Sequence, residues 1–258
     1  MHRFYSQHGE DYLLELLFAE KNDGCFVEVG CIDGSRFSNT LHFEEKGWSG
    51  LCIEAHGDYI GILERNRPNS QVVHCAVGEA NEDKAIFYAN ARGSLSTLDK
   101  TKEEEFKTKF PNYFTGFKEQ IVKKKTLNSI FTENGLSKID LLSLDIEGYE
   151  IQALQGLDLG ACAPEVIVVE SDSRLHEQRL DEIIIPRSYV KMMKLVYNIF
   201  YVKNPVSVKT VNLGTYVFPL TNTCHPLDSA DSCDVTTEVS LTISDYPGSE
   251  YMFIVKRN

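Results

Sequence analysis

The sequence predicts an α/β fold in which a mostly parallel sheet is covered by helices. Short apolar runs alternate with amphipathic segments in the order strand, helix, strand, helix, strand, which is typical of parallel sheets with right-handed crossovers. The chain has 258 residues, a length at which a fold buries roughly 70–75% of the surface that its unfolded chain exposes. A single domain over residues 1–258 is therefore predicted.

The first part of the chain contains three strands and three helices by this pattern. The apolar runs predicted as strands are 25–30, 50–55 and 71–77. The predicted helices cover about 6–22, Ser35 or Ser38 to Gly47, and 58–68. The first of these helices has Ser6 as its cap and stops at Gly24, and the third is closed by Pro68.

The rest of the chain continues the alternation less regularly. Strands are predicted at 85–89, at 119–127, in a run that ends at Asp145, and at 164–172, 195–203, 215–220 and 250–257. Helices are predicted at 127–135, at 149–157 and on both sides of Pro186. Two polar segments, near 92–118 and 221–245, are interpreted as insertions, and the first is so rich in charge that a solvated surface is expected.

Charge and cysteine content exclude several classes of protein. With 26 basic and 38 acidic residues the net charge is −12, which argues against a nucleic-acid backbone as partner. No apolar run approaches the ~20 residues of a membrane span, and the N-terminus is too polar for a secretory signal. Seven cysteines fit reduced, buried thiols, although Cys224 and Cys233 could pair across a polar loop. We therefore expect a soluble cytoplasmic protein, without a zinc site because no CxxC or HExxH spacing occurs.

The segment FVEVGCIDGSRFSNT places Gly30 and Gly34 directly after the first strand. Such loops lie at the carboxyl edge of a parallel sheet, where α/β proteins bind ligands. The spacing is not the GxGxxG of a dinucleotide site. With Glu28 inside the strand it reads (D/E)xGxx(x)G, which suits S-adenosylmethionine, and Glu54 at the end of the second strand is placed to accept both ribose hydroxyls. An ordinary tight turn is the alternative.

The segment LSLDIEGYE places three acids at the end of another strand. Asp145, Glu147 and Glu150 would repel one another unless something occupies the space between them. The alternative is that Glu147 and Glu150 only favour the N-terminus of the next helix.

Several of these segments together resemble the FkbM family of S-adenosylmethionine-dependent methyltransferases. They are SQHGEDYLLELLF, FVEVGCIDGSRFSNTLHFEEKGWSGLCIEA, TLNSIFTENG, IDLLSLDIEGYEIQALQG and EYMFIVKR. The match runs in order over most of residues 5–172 and resumes near 246–257. The resemblance implies the class I methyltransferase fold, a Rossmann-like, mostly parallel sheet with an antiparallel C-terminal strand and helices on both faces. Family members mostly methylate hydroxyl groups of sugars or of polyketide-type natural products.

The resemblance also implies which residues bind the cofactor S-adenosyl-L-methionine. They are Gln7, Glu28, Gly30, Cys31, Asp33, Gly34, Asn39, Glu54, Ala76, Val77, Ser96 and Asp145. Residues 173–245 depart from the family pattern, so the acceptor pocket is not assigned by it.

Methyl transfer to a hydroxyl requires an acceptor oxygen held about 3–3.5 Å from the methyl carbon and a group that takes its proton. The predicted catalytic residues are Asp145, Glu147 and His176. Alternatively, Mg²⁺ or Mn²⁺ held by Asp145, Glu170 and Asp172 would lower the pKa of the hydroxyl.

The predicted function is O-methyl transfer to a hydroxyl of a small molecule, most simply a sugar or natural product. The alternative is a non-catalytic nucleotide-binding module that retains the cofactor pocket. A nucleic-acid methyltransferase is disfavoured by the acidic charge and by the absence of an (N/D)PP(Y/F) motif.

Overall fold

The computed structural model describes residues 3–19 and 21–203, together with the backbone of two later strands, Thr237–Ser240 and Ile254–Arg257. The chain divides into two compact units, residues 1–204 and 205–258. In the second unit the two strands pair with each other in antiparallel register. The predicted strand at 215–220 and most of the predicted insertion at 221–245, with Cys224 and Cys233, lie outside the described residues. A single domain over residues 1–258 stays a prediction.

The described part of the first unit contains ten strands and seven α-helices. The strands are β1 (Cys25–Val29), β2 (Ser49–Glu54), β3 (Ser70–His74), β4 (Ala76–Val77), β5 (Glu82–Ala89), β6 (Lys118–Lys125), β7 (Leu141–Leu144), β8 (Val166–Glu170), β9 (Tyr189–Leu195) and β10 (Asn198–Lys203). The helices are α1 (Glu10–Leu17), α2 (Leu41–Glu45), α3 (Ile60–Asn66), α4 (Lys102–Lys109), α5 (Leu127–Glu133), α6 (Glu150–Gln155) and α7 (Arg174–Ile184). None of the described helices is long and apolar enough to cross a membrane.

Seven strands form the main sheet in the order β3-β2-β1-β7-β8-β10-β9. Neighbours pair in parallel, except that β10 is antiparallel to both β8 and β9. The predicted mostly parallel sheet with a reversed last strand is confirmed, and β10 is that strand. The order of strands along the chain reverses between β1 and β7, the place where open α/β sheets bind ligands.

Successive side chains of β1 point to opposite faces of the sheet, and both sets are buried, so helices must cover both faces. Val27 and Val29 belong to a buried cluster shared with α5, α6 and α7. Phe26 and Glu28 point to the opposite face, where the guanidinium of Arg67, at the end of α3, lies 5.1 Å from the centre of the Phe26 ring. Helices therefore shield the central strands from water on either side.

A second sheet of three strands has the order β4-β6-β5. The run 71–77, predicted as one strand, divides at Cys75, because β3 pairs with β2 whereas β4 pairs with β6. In the part of the chain that connects β5 to β6, Phe106 of α4 is buried in a cluster with Leu95 and Phe114. The segment near 92–118, predicted as a charge-rich solvated insertion, therefore also contains a small apolar cluster.

Two predicted helices begin about one turn later in the structure than the sequence predicts. The first begins at Glu10 and not near Ser6, because the Asp11 carboxylate accepts a hydrogen bond from the Ser6 N–H at 3.1 Å and so holds the preceding residues in a turn. The second begins at Leu41, because the segment before it turns toward β1.

The segment after Pro186 was predicted as helix and is strand β9. Its apolar residues fit a helical spacing, but the backbone of Tyr189–Leu195 pairs with β10. Tertiary pairing outweighs local propensity here.

Candidate functional site

The loops after β1, β2 and β7 lie along one edge of the main sheet, because these strands are parallel neighbours. In register, Val29 is beside both Ile53 and Leu144. Gly30 follows with a φ of +87°, a conformation that favours glycine. A Cβ atom at Gly30 would lie 1.8 Å from the carbonyl oxygen of Asp145. Glycine at this position lets the loops after β1 and β7 approach each other.

Asp33 and Gly34 shape the loop after β1. One carboxylate oxygen of Asp33 accepts hydrogen bonds from the N–H groups of Ser35 at 2.9 Å and Arg36 at 2.8 Å. Gly34 has a φ of +80°, and a Cβ there would lie 2.6 Å from Cγ of Arg67. Both residues hold the loop in place, and their contact with a cofactor stays a prediction.

Glu54 ends β2 with its carboxylate fixed between two loops. One oxygen accepts a hydrogen bond from the Ile32 N–H at 2.6 Å and the other from the His56 N–H at 2.7 Å. The side chain is buried, and burial raises its pKa to about 7 although these backbone hydrogen bonds lower it. Each oxygen retains a lone pair that can accept a hydrogen bond from a ligand.

Glu28 lies in a closed network on the α3 side of the sheet. Its carboxylate accepts hydrogen bonds from the Ser38 hydroxyl, the Asn39 N–H, the Thr40 hydroxyl and Nη1 of Arg67, at 2.8 to 3.1 Å. These donors occupy both carboxylate oxygens. The network fixes the turn between β1 and α2, and a direct bond from Glu28 to the cofactor stays a prediction.

Arg67 joins this network to α2. It is fully buried, and its Nε donates to the Glu44 carboxylate at 2.6 Å. Nearby, the Asn39 side-chain amide donates to the Ser143 hydroxyl at 3.0 Å, which links the turn to β7. The Cys31 thiol is also buried and donates to the carbonyl of Glu28 at 3.1 Å.

The loop after β5 packs beside the end of β2. The Ser96 hydroxyl accepts a hydrogen bond from the Asn90 N–H at 2.9 Å, and Nε2 of His56 lies 3.0 Å from the Asn90 carbonyl oxygen. Burial lowers the pKa of His56, so its ring is neutral near pH 7. Nδ1 of His56 and the Asn90 side-chain nitrogen are buried without a hydrogen-bond partner among the described residues. The predicted residues Ala76 and Val77 are buried in β4.

Four carboxyl groups with raised pKa values lie beyond the ends of β7 and β8. Burial is the largest cause for each, and neighbouring carboxylates add to it. The pKa is raised to about 6 for Asp145, to about 7 for Glu150 and to about 8 for Glu147. That of Glu170 is raised well above its ordinary value. Close acids of this kind bind protons or cations near neutral pH.

The turn between β7 and α6 determines where these acids lie. Glu147 has a φ of +57° and its carboxylate accepts a hydrogen bond from the Leu95 N–H at 2.8 Å. Glu150, the first residue of α6, reaches back so that Oε1 accepts from the N–H groups of Ile146 at 2.9 Å and Gly148 at 3.2 Å. The turn is therefore held by the acids themselves.

Asp172 and His176 lie beside the acids, and His176 contacts one of them, Glu150. Asp172 is paired with Nζ of Lys102 at 2.7 Å, which lowers the pKa of Asp172 despite its partial burial. The His176 ring lies between two carboxylates, 3.5 Å from Asp172 and 3.4 Å from Glu150. Of the predicted metal ligands, Asp145 and Glu170 therefore converge, and Asp172 is held by a lysine.

The N-terminal segment contributes a further acid to this region. Glu10 is fully buried, and its carboxylate accepts hydrogen bonds from the His8 N–H at 2.8 Å and the Asn198 side chain at 2.9 Å. The Glu10 charge also raises the pKa of Asp145. Gln7, predicted to contact the cofactor, is exposed.

The sequence of this unit matches a known domain family. Residues 24–195 match the family model of the methyltransferase FkbM domain, which is two thirds of the chain. The chain belongs to the FkbM methyltransferase family. The resemblance drawn from its motifs is confirmed, and an S-adenosylmethionine-dependent methyltransferase is the class of enzyme that this family indicates. No curated protein matches the sequence.

Solved methyltransferase structures resemble this FkbM domain at a distance. Ribosomal protein L11 methylase from Lactobacillus delbrueckii subsp. bulgaricus is 9% identical, with a TM-score of 0.42 and coverage of 77% of this chain and 80% of that one. Precorrin-6y C5,15-methyltransferase from Geobacter metallireducens GS-15 is 13% identical, with a TM-score of 0.40 and coverage of 74% and 87%. The family assignment rests on the domain match, because these likenesses are too distant to support it.

Sequence reasoning missed some residues that organise the FkbM site. Arg67, Glu44 and Glu10 are buried charged residues that were not among the predicted site residues. For Arg67 a signal existed, since it follows the buried Leu63 by four positions and so lies on the inner side of α3. His56 is likewise a residue that no motif singled out.

Proposed function

We propose that this FkbM domain transfers the methyl group of S-adenosylmethionine to a hydroxyl group of a small acceptor, a sugar or a natural product. The observation that carries the proposal is the position of Glu54. Its buried carboxylate, held by two backbone N–H groups, lies on the same sheet edge as the Gly30 turn and Asp145.

The residues present fit this cofactor. The Glu54 carboxylate, at the end of β2, can accept hydrogen bonds from two ribose hydroxyls. No lysine or arginine of the described residues forms an ion pair with it. The buried acceptor Nδ1 of His56 and the donor nitrogen of Asn90 have no described partner and suit a purine edge, which offers both a donor and an acceptor. Buried polar atoms without partners are costly, so a ligand that pairs with them gains affinity.

The acids at the end of β7 supply the remaining chemistry. Bound S-adenosylmethionine supplies an electrophilic methyl group on a sulfonium. Asp145 accepts the proton of the acceptor hydroxyl, and burial raises its pKa to about 6, closer to neutrality than that of an ordinary aspartate. Glu147 lines the same turn. His176 is the other proton acceptor proposed, and it acts next to Glu150.

The acceptor is expected to be a small molecule. Nucleic-acid binding depends on clustered basic side chains, whereas the edge near Asp145, Glu147, Glu150 and Glu170 is rich in carboxyl groups, which disfavours nucleic acid as a substrate. The described cysteines are all free thiols, as in a reducing compartment, so we place the protein in the cytoplasm.

Turnover with an acceptor panel tests the proposal. The protein is incubated with S-adenosylmethionine and separate sugars, sugar nucleotides and hydroxylated natural products, and S-adenosylhomocysteine release is measured. We expect release with one class of hydroxyl acceptor and a product heavier by one methylene. Tight cofactor binding with no release from any hydroxyl or amine acceptor would favour a non-catalytic binding module, and release only with amines would exclude O-methylation.

Replacing Glu54 tests its role at the ribose. Glu54→Ala removes two charge-assisted hydrogen bonds to the cofactor, each worth roughly 1.5–3 kcal/mol. We expect affinity for S-adenosylhomocysteine, measured by calorimetry, to fall at least about tenfold. Glu64→Ala, an exposed position on α3, is the control and should bind as the wild type does.

The pH dependence of binding is a second readout of Glu54. The pKa of Glu54 in the folded protein, about 7, exceeds its ordinary value of 4.5. The protonated carboxyl therefore stabilises the fold without ligand at low pH, and this stabilisation is lost as the pH rises through 7. Ribose binding needs the ionised carboxylate, so affinity for the cofactor increases as the pH rises. Affinity should fall by up to about tenfold from pH 8 to pH 6 in the wild type and less in Glu54→Gln. Equal pH profiles would mean that Glu54 does not titrate at the ribose.

A further inference from the structure

Three carboxylates lie close together at the carboxyl ends of β7 and β8 and at the start of α6. Asp145 follows β7, Glu150 begins α6 and Glu170 ends β8. One oxygen from each lies within 4.8 Å of the other two. Oxygens at such separations can contact one ion at the 2.0–2.6 Å distances typical of Mg²⁺ and Ca²⁺.

Glu150, a member of this set, has one carboxylate oxygen without a hydrogen-bond partner among the described residues. The residue is fully buried, and its Oε1 is held by the N–H groups of Ile146 and Gly148. Its Oε2 has no hydrogen-bond partner in the described part of the chain. The same is true of Nε2 of His176, whose side chain is only 10% exposed and which lies 3.4 Å from that oxygen. Two buried polar atoms are thus aimed at this position without partners.

The charge of the three carboxylates is not balanced by a basic side chain. Within residues 3–19 and 21–203, no lysine or arginine forms an ion pair with Asp145, Glu150 or Glu170. Lys102, on α4, is paired instead with Asp172 at 2.7 Å and Glu105 at 3.1 Å. Glu150 is fully buried, and a buried carboxylate beside two others without a counter-charge is costly unless the group binds a cation or protons.

We propose that Asp145, Glu150 and Glu170 form a binding site for a hard divalent cation, Mg²⁺ or Mn²⁺. Carboxylate oxygens are the ligands that such cations prefer. The site rests on the proposed function, because the ion would lie at the edge where the acceptor hydroxyl enters and would lower the pKa of that hydroxyl. The ligand set replaces Asp172, predicted from the sequence, with Glu150.

Manganese titration of the full chain tests this set directly. Protein freed of metal with a chelator is titrated with MnCl₂, and free Mn²⁺ is followed by electron paramagnetic resonance. We expect one saturable site per chain. Glu150→Gln and Glu170→Gln should each weaken binding by about tenfold or more, whereas Asp172→Asn, the matched control, should bind as the wild type does.

Several outcomes would overturn the site. Absence of saturable binding to the wild type shows that the carboxyls share protons instead. Loss of binding in Asp172→Asn and Glu170→Gln, with Glu150→Gln unaffected, restores the set predicted from the sequence. Circular dichroism identifies any variant that fails to fold, and the other glutamate variant then decides.

The same samples separate this site from the proposed function. S-adenosylhomocysteine is titrated into each protein by calorimetry. Cofactor binding without Mn²⁺ binding refutes the metal site alone. Mn²⁺ binding without cofactor binding refutes the methyltransferase proposal and leaves the cation site standing.

Discussion

Arg67→Met is expected to lower the free energy of unfolding by about 3–5 kcal/mol, the usual effect of removing one partner from a buried ion pair. Arg67 is fully buried and pairs with Glu28 at 2.9 Å and Glu44 at 2.6 Å. Methionine fills much of the space but leaves both carboxylates buried without a positive charge. Urea denaturation followed by circular dichroism measures the change.

Arg65→Met is the matched control, because Arg65 lies on the same helix and is exposed. Its effect should stay within about 0.5 kcal/mol. If Arg67→Met does not accumulate as folded protein, Arg67→Lys keeps the charge, loses most of the hydrogen bonds and should show a smaller loss. Wild-type stability in Arg67→Met would contradict a structural role for the Glu28 network and would leave Glu28 available to the cofactor.

Asp145→Asn is expected to reduce methyl transfer by about 10²-fold or more, the usual size of a general acid–base contribution. Asparagine keeps the shape of the side chain but removes the charge that a base or a hard-cation ligand needs. Affinity for S-adenosylhomocysteine should change less than the rate does. Steady-state rates with a verified acceptor, together with calorimetry of the same variant, provide both numbers.

Asp83→Asn is the control for this experiment, since Asp83 is exposed on β5. A chelator distinguishes the two roles of Asp145: a metal-assisted reaction stops and recovers with Mg²⁺ or Mn²⁺, whereas a carboxylate base acting alone is unaffected. Transfer at the wild-type rate by Asp145→Asn would show that Asp145 is structural.

The central strands were predictable because their sequences show both an apolar run long enough for a buried strand and a glycine or acid at its end. β1, β2, β7 and β8 are short apolar runs buried on both faces, and each either ends in an acid or is followed by glycine or an acid. Parallel pairing then places Gly30, Glu54 and Asp145 along the same edge, whatever the details of the helices. The order of elements in the chain was enough for this part of the site.

The partners of the charged residues were not predictable, because they come from distant positions. Arg67 reaches Glu28 across 39 positions and Lys102 reaches Asp172 across 70. No local pattern encodes such contacts. They decide which acids are neutralised, so the sequence indicated Asp172 as a metal ligand, whereas the structure places Glu150 beside Asp145 and Glu170.

Calorimetric titration of the wild-type chain with S-adenosylhomocysteine tests the central claim, that the Gly30 turn and Glu54 form an S-adenosylmethionine site. We expect stoichiometric binding and a raised melting temperature, since a ligand at 100 times its Kd stabilises the fold by about 2.7 kcal/mol. NADH, titrated in parallel, should not bind comparably. Tight binding of NADH with no binding of S-adenosylhomocysteine would contradict the account and assign the edge to a dinucleotide.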